Sequence, residues 1–167
     1  MPVVLARIDD RLIRGKYIGM WTRSYNVNVI VIVDDQLAAN KVQLDIYALT
    51  TPPGVQLFAQ SVDGFIDKYN KGIFEKYNVM VITRDTIALT KITKAQIKFP
   101  IHFINIGGMK FKEGKTQLTE SVSVSSLECD HLIYLHNFGY NLEDRQLPTY
   151  ESIDLFPLIK SLSETKK

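Results

Sequence analysis

A charge-rich segment near the N-terminus combines residue types that bind anions. It runs Arg7-Ile8-Asp9-Asp10-Arg11-Leu12-Ile13-Arg14-Gly15-Lys16 and holds four cations and two carboxylates. A glycine that opens a helix exposes backbone amides, and the helix dipole adds favourable potential for an anion. Arginine also offers phosphate a bidentate fork. The segment therefore predicts a phosphate-binding loop that comprises Asp10, Arg11, Arg14, Gly15 and Lys16. The alternative is a solvated loop in which the aspartates pair with the arginines.

Two later segments extend the same predicted site. Gly107 and Gly108 lie between Ile106 and Met109, and paired glycines permit positive φ and close approach of the backbone to a ligand. Thr83 and Arg84 follow an apolar run, where a hydroxyl and a guanidinium can contact phosphate. The alternatives are an ordinary Gly-Gly turn in the first segment and a helix N-cap by Asp85 in the second.

Nucleophiles and metal ligands are sparse in this sequence. His102 lies in a predicted strand, whereas His131 and His136 lie on a predicted helix, so none of the three histidines is in a loop that follows a strand. Histidines so placed are more often packed or surface residues than ligands. The single cysteine is Cys129, and His, Cys and carboxylate residues show no metal-ligand spacing. We expect neither a metal ion nor another cofactor.

Short apolar runs alternate with helical patterns and position these loops. The runs are Val3–Ile8, Val29–Val33, Val55–Ala59, Val79–Thr83 and Ile101–Ile106. Almost continuous apolar character over so few residues is typical of parallel strands covered on both faces. Helices are predicted over Asn40–Leu49, over Thr86–Ile92 and after an N-cap at Ser61. The alternation predicts an α/β fold: a single-domain three-layer sandwich with a mostly parallel, doubly wound central sheet.

The carboxyl ends of the strands in such a sheet lie along one edge, because the crossovers are right-handed. Ligands bind at this edge in open α/β sheets. We therefore expect the segments Asp10–Gly15 and Gly107–Gly114 to be adjacent. A stripe of Tyr17, Met20 and Trp21 on the first helix is interpreted as core, with a partner-facing patch as the alternative.

The C-terminal third shows a capping box, Ser125-Ser126-Leu127-Glu128, which predicts a helix that continues to about Asn137. An edge strand is predicted around Leu142–Leu147. We expect one domain over residues 1–163 and a frayed tail over residues 164–167.

Composition excludes several classes of function. The chain has 167 residues, with 20 Lys and Arg against 18 Asp and Glu, and its net charge of +2 gives no general reason to bind nucleic acid. No apolar run reaches the roughly 18 to 20 residues of a membrane helix. The start, MPVVLARIDD, lacks a basic region ahead of an apolar stretch, so we expect no signal peptide and a cytoplasmic protein.

A series of sequence blocks covers nearly the whole chain. The first block is the Arg7–Ile13 segment, followed by Gly15 and Trp21. The others are Val31–Asp35, Pro52–Val55, Thr83-Arg84, Ile104–Met109, Lys112–Lys115 and Arg145–Pro148. In content and order these blocks resemble the IIB subunits of the mannose/fructose/sorbose family of the bacterial phosphoenolpyruvate-dependent sugar phosphotransferase system.

The resemblance implies an α/β domain that relays a phosphoryl group from a IIA phosphohistidine to a sugar held by the membrane subunits IIC and IID. It also implies that the phosphohistidine directly precedes the glycine matched by Gly15, and in this chain that position is Arg14. Further departures from the family pattern occur at Asn40, Lys41 and Lys110, and at Lys16, where the family has glutamine. Their clustering favours natural divergence over a single introduced mutation.

This substitution bears on the implied activity, a protein-histidine to sugar phosphotransfer. A relay histidine needs a neutral nitrogen that attacks phosphorus and later leaves, whereas a guanidinium stays protonated and has no lone pair to offer. We expect a IIB component impaired at Arg14; the alternative is a non-phosphorylatable docking or regulatory protein that binds IIA or a regulator. The expected partners are IIA, IIC and IID, with peripheral association at the membrane. A phosphate or sulfate ion and a homo-oligomer remain open.

Overall fold

The apolar runs of the sequence form the strands of the fold. The structure, a computed structural model, describes residues 2–165. Its strands are β1 (Val3–Asp9), β2 (Val29–Val33), β3 (Gln56–Gln60), β4 (Val79–Thr83), β5 (Phe103–Gly108), β6 (Thr116–Gln117), β7 (Ser123–Val124), β8 (Asn141–Asp144) and β9 (Ile153–Asp154). Its helices are α1 (Gly15–Ser24), α2 (Asp35–Ala38), α3 (Lys41–Ala48), α4 (Val62–Asn70), α5 (Thr86–Lys94), α6 (Ser126–Phe138) and α7 (Phe156–Thr165).

The central sheet confirms the predicted fold class. Within residues 2–165 it has seven strands in the order β3-β2-β4-β1-β5-β8-β9, and every neighbouring pair except β8 and β9 is parallel. β6 and β7 form a separate antiparallel pair. β1 lies between β4 and β5, so the carboxyl ends of these three strands are neighbours. That edge is where the chain reverses its direction across the sheet and where ligands bind in such folds.

Helices cover both faces of the sheet and enclose two apolar clusters. One cluster joins strand residues to α1 and α2 through Ile18, Trp21 and Leu37, whereas the other joins them to α4, α5, α6 and α7. Trp21 is fully buried, which confirms its interpretation as core. Because every residue of β2 and β4 is buried, these two strands have no polar face. Their bounds are those predicted from the sequence.

The other boundaries differ from prediction in instructive ways. β3 begins and ends one residue later than predicted, and β5 two residues later. The amide of Ile101 donates to the carbonyl of Phe99 at 2.8 Å, which closes a tight turn before β5. His102 therefore precedes the strand rather than lying in it. Gly107 and Gly108 form the last residues of β5, so the alternative interpretation of this pair as an ordinary Gly-Gly turn is wrong.

The C-terminal third contains elements that the sequence patterns did not indicate, which are β6, β7, β9 and α7. The capping box is present, and it opens α6 as predicted. The strand predicted at Leu142–Leu147 is β8, but it pairs with both β5 and β9, so the edge strand is β9. The chain then forms α7, which includes Glu164 and Thr165 of the predicted frayed tail; Lys166 and Lys167 lie outside the described residues.

The helices are short. Among residues 2–165, none combines the length and the apolar character that a bilayer-spanning helix needs.

Candidate functional site

The segment after β1 folds into a tight turn that the Asp9 carboxylate organises. Asp9 Oδ1 accepts the backbone amide of Arg11 at 3.1 Å, and the Asp9 carbonyl accepts that of Leu12 at 2.9 Å. Leu12 has a φ of 58°, an uncommon value for a branched residue, and its buried side chain holds it there. The turn directs the chain into α1, which begins at Gly15.

The two predicted glycine-containing segments are adjacent, as expected. Asp9 pairs with Gly108 in the β1–β5 register. The amide of Asp10 donates to the Gly108 carbonyl at 3.1 Å, and the amide of Lys110 donates to Asp10 Oδ2 at 2.6 Å. These bonds fix the Asp10–Gly15 segment against the end of β5.

The buried guanidinium of Arg7 packs against the contact between the Asp10–Gly15 segment and the end of β5. Arg7 is 2% exposed, and its Nη2 donates to Asp9 Oδ2 at 3.0 Å while its Nη1 donates to Asn105 Oδ1. Burial lowers the pKa of Arg7, and the Asp9 carboxylate acts in the opposite direction. A Cβ at residue 107 would collide with the Arg7 guanidinium. Gly107 is therefore required for close approach, not for positive φ.

Arg14 is folded back onto the protein rather than extended into solvent. Its Nη2 donates to Gln146 Oε1 and to the Gly107 carbonyl, at 3.4 Å for the latter, and lies 3.6 Å from Asp9 Oδ2. The guanidinium also stacks on Tyr17, 4.5 Å from the ring centroid. Within residues 2–165, Nε is buried without a hydrogen-bond partner and Nη1 makes no hydrogen bond. The side chain is 21% exposed.

Two clefts open in front of these groups. The first cleft, of about 500 Å³, is lined by five of the predicted residues, which are Asp10, Arg11, Arg14, Gly107 and Gly108. Its other walls include Tyr17, Lys110, Phe111, Gln146 and Tyr150. It falls in the size range of small-molecule sites.

The second cleft, of about 440 Å³, shares Asp10, Arg11 and Lys110 with the first. Its outer wall includes Arg84, Lys112 and Lys115. Arg84 donates to both Asp34 oxygens at 3.3 Å, and the Asp34 hydrogen bonds raise the pKa of Arg84. Lys115 pairs with Glu128 at 2.9 Å. Two of the cations in this cleft are thus already neutralised by protein carboxylates.

Three predicted residues line neither cleft. Thr83 is fully buried, and its hydroxyl donates to the Asp85 carbonyl at 2.9 Å. Asp85 caps α5 by accepting the Ile87 amide, so the N-cap alternative for this segment is confirmed. Lys16 is exposed away from both clefts, because it lies beyond the turn on α1. Gly15 packs beside α3, where a Cβ would lie 3.1 Å from Thr50 Cβ.

The contribution of Gln146 was not predicted as a site residue. Its amide group bridges Arg14 and the Gly107 carbonyl. The available signal was position, because Gln146 follows β8 and the carboxyl end of a parallel strand lies at the site edge. Tyr17, predicted as core with Trp21, instead lines the first cleft, and Phe111 and Tyr150 border it.

The three histidines lie outside both clefts. His131 Nδ1 lies 2.8 Å from Thr86 Oγ1, and His136 stacks on Phe156 with ring centroids 3.6 Å apart. His102 precedes β5 at the opposite end of that strand from Gly108. Cys129 is buried in the core. Neither cleft is therefore lined by a histidine or a cysteine among residues 2–165.

Comparison with known proteins gives concordant matches over almost the whole chain. A family model described as PTS system sorbose subfamily IIB component matches residues 3–167. The chain is 30% identical over 159 residues to the PTS system sorbose-specific EIIB component of Lacticaseibacillus casei, which covers 95% of this chain and 96% of that protein.

A fused relative and a solved structure agree with this match. The chain is 32% identical over 164 residues to the PTS system mannose-specific EIIAB component of Escherichia coli (strain K12), which covers 98% of this chain but 50% of that protein. The chain thus spans half the length of that relative. The crystal structure of the IIBSor domain of the sorbose permease from Klebsiella pneumoniae superposes with a TM-score of 0.87 at 26% identity, and the alignment covers 99% of this chain and 98% of that one.

Proposed function

Because the chain belongs to the sorbose subfamily of phosphotransferase-system IIB components, we propose that it docks to IIA and to the membrane subunits IIC and IID without carrying phosphate on residue 14. The family is that of mannose, fructose and sorbose IIB components, which work with IIA. Docking would place the chain at the cytoplasmic surface of a membrane complex. The sugar stays unassigned in this proposal.

The observation that carries the proposal is the chemistry and placement of Arg14. The family resemblance assigns the phosphoacceptor histidine to this position. A guanidinium has no lone pair with which to attack phosphorus, and its pKa above about 12 keeps it protonated. Its Nη2 is also occupied by Gln146 and the Gly107 carbonyl. We therefore expect residue 14 to bind a phosphoryl oxygen without attacking phosphorus.

The absence of a histidine or cysteine from the lining of both clefts, within residues 2–165, supports the same conclusion. The histidines are directed elsewhere, and Cys129 is 4% exposed. Ser121 lines the first cleft, but no histidine lies beside it there to act as general base.

The decisive experiment is phosphorylation from phosphoenolpyruvate through enzyme I, HPr and a family IIA protein, followed by intact-mass measurement under conditions that preserve phosphohistidine. We expect no adduct on the wild-type chain and one phosphoryl adduct on Arg14→His. Thermal melting of both proteins controls for folding. A stoichiometric adduct on the wild-type chain would refute the proposal, and mapping it would identify the carrier.

We also propose that the remaining predicted donors bind inorganic phosphate or sulfate at the first cleft. Arg11 and Arg14 supply the cations, beside the backbone of Gly107 and Gly108. Isothermal titration of inorganic phosphate tests this directly. We expect weaker binding to Arg14→Ala and Arg11→Ala than to the wild-type chain. Equal binding to all three proteins, or none to the wild type, would contradict it.

The same site favours a regulatory role as the second candidate function. A chain that docks IIA but cannot accept phosphate competes with active IIB proteins for it, by mass action. Phosphotransfer from IIA to an active family IIB should then slow as this chain is added. Arg14→His, which regains acceptance, should itself become phosphorylated in the same mixture. Unchanged transfer at saturating amounts of the wild-type chain would exclude competition.

A further inference from the structure

Unpaired cations occupy the ridge between the two clefts. We define this basic ridge as Arg11, Lys110 and Lys112, of which the first two line both clefts. All three side chains are exposed, and none makes an ion pair or hydrogen bond with any residue in the range 2–165. Lysines and arginines elsewhere at this edge, such as Arg84 and Lys115, are paired.

The carboxylates around the ridge are mostly engaged with the protein. Asp10 accepts the Lys110 amide, Asp85 caps α5, and Glu128 both caps α6 and pairs with Lys115. Glu120 is the remaining carboxylate in the wall of the first cleft. The residues that line the two clefts nevertheless include six cations and only four carboxylates, so the surface around the ridge carries a net positive charge. Arg14 adds an Nη1 group that makes no hydrogen bond within residues 2–165.

Exposed aromatic rings flank the same charge. Phe111 is 54% exposed and Tyr150 is 55% exposed, and both border the first cleft. Aromatic residues and arginine are enriched in protein interfaces, whereas a small ligand would be enclosed more fully. The combination favours a protein partner that presents an anion at the centre of its contact surface.

We propose that the basic ridge, with the flanking rings of Phe111 and Tyr150, distinguishes the phosphorylated form of IIA from the unphosphorylated form. It holds the phosphoryl group without accepting it. This inference rests on the proposed function, since it requires docking of IIA. A phosphoryl group on the partner's histidine is a dianion, and the basic ridge supplies charge-assisted hydrogen bonds to its oxygens. No bond forms or breaks, because Arg14 offers no lone pair, so the partner's P–N bond stays intact.

Binding of this kind makes the chain a reader of phosphorylation state. A IIB subunit that accepts phosphate converts the phosphorylated partner into the unphosphorylated one and releases it. A chain that only binds would retain the phosphorylated partner and withhold it from other acceptors. The amount of phosphorylated IIA that the chain retains depends on how much more tightly it binds this form than the unphosphorylated one.

The test measures the dissociation constants of phosphorylated and unphosphorylated IIA for this chain. Family IIA is phosphorylated with phosphoenolpyruvate, enzyme I and HPr, and mass measurement confirms its state before and after binding. We expect the phosphorylated form to bind at least about tenfold more tightly at low salt, with the preference falling as salt rises. Arg11→Ala and Lys110→Ala should reduce the ratio of the two constants.

Lys160→Ala provides the matched control, because Lys160 is an exposed cation on α7 that lines neither cleft and makes no ion pair with any residue from 2 to 165. The ratio should be unchanged in this variant. Equal binding of both IIA forms to the wild-type chain would overturn the inference while leaving IIA docking intact. If neither form of IIA binds, the proposed function is overturned instead. Transfer of phosphate to the chain would overturn both.

Discussion

The chemistry of this protein is concentrated in residues whose side chains are held by neighbours from distant parts of the chain. Arg14 is the clearest case, because its contacts come from the end of β5, from the segment after β8 and from its own helix. It acts as a clamp across the site edge as well as a cation. A histidine could not reproduce this set of bonds, since it lacks the planar fork of arginine.

Replacement of Arg14 by alanine should therefore lower stability as well as anion binding. We expect the free energy of unfolding to fall by about 1 to 2 kcal/mol, since the hydrogen bonds of a partly exposed cation are lost. Arg11→Ala removes an exposed side chain that makes no ion pair or hydrogen bond within residues 2–165, and it should change the free energy of unfolding by less than about 0.5 kcal/mol. Urea denaturation measures both variants. Equal losses would show that Arg14 is no clamp.

Gly107 presents a sharper steric requirement. A methyl group at this position would occupy the space of the buried Arg7 guanidinium. Because Arg7 is held by Asp9 and Asn105, it cannot move away without breaking those bonds. We expect Gly107→Ala to destabilise the protein by about 1 to 3 kcal/mol, the usual cost of overpacking.

The control for this substitution is Gly19→Ala within α1. Its added Cβ would lie 3.5 Å from Arg23 Nη1, which is ordinary contact distance. Alanine is also the better helix former by roughly 1 kcal/mol. Urea denaturation should show unchanged or increased stability for Gly19→Ala. A Gly107→Ala protein as stable as the wild type would mean that Arg7 relaxes easily.

At the scale of elements, a helix or strand could be predicted from the sequence when nearby residues determine it, and could not when distant residues do. β2 and β4 were predicted with correct bounds because they are buried along their whole length. The capping box of α6 is a contact between residues three apart, so it was also visible. The interior position of β8 could not be predicted, because it depends on pairing with β9, a strand of two residues that are both exposed.

The site shows the same division. The parallel sheet predicts that the two glycine-containing segments are adjacent, and they are. Five of the nine predicted site residues line the first cleft. Which side chains face the cleft depended on long-range packing. The Thr83 hydroxyl donates to the carbonyl of Asp85, the N-cap of α5, instead of facing a cleft. Gln146 contacts Arg14 although the two residues are 132 positions apart in the sequence.

The capping box also leads to an element-scale prediction. Ser125 Oγ accepts the Glu128 amide at 3.1 Å, and Glu128 Oε1 accepts the Ser125 amide at 2.9 Å. Ser125→Ala should lower the free energy of unfolding by about 1 kcal/mol, whereas Ser125→Asp retains a capping oxygen and should not. Chemical denaturation of the two variants checks this. Equal destabilisation would show that side-chain capping is not the cause.

At the scale of the whole molecule, one buried phenol links stability to pH. Tyr140 precedes β8, is 2% exposed, and accepts the amide of Phe99 through its hydroxyl oxygen at 2.7 Å. Burial raises the pKa of Tyr140 from 10.0 to about 12. The residue joins the segment before β5 to the start of β8, and its ionisation is less favourable in the folded chain than in the unfolded one.

Alkaline unfolding should report this shift. Between the unfolded and folded pKa values the unfolded chain releases the Tyr140 proton first, so the stabilisation present below pH 10 is lost as pH rises towards 12. We expect a loss on the order of 2 kcal/mol from this group. Tyr140→Phe cannot ionise at this position, so its free energy of unfolding should fall less steeply as pH rises. This variant starts less stable, because the Phe99 amide loses its acceptor. Urea denaturation from pH 8 to pH 12 compares the two slopes, and parallel slopes would exclude Tyr140 as the source.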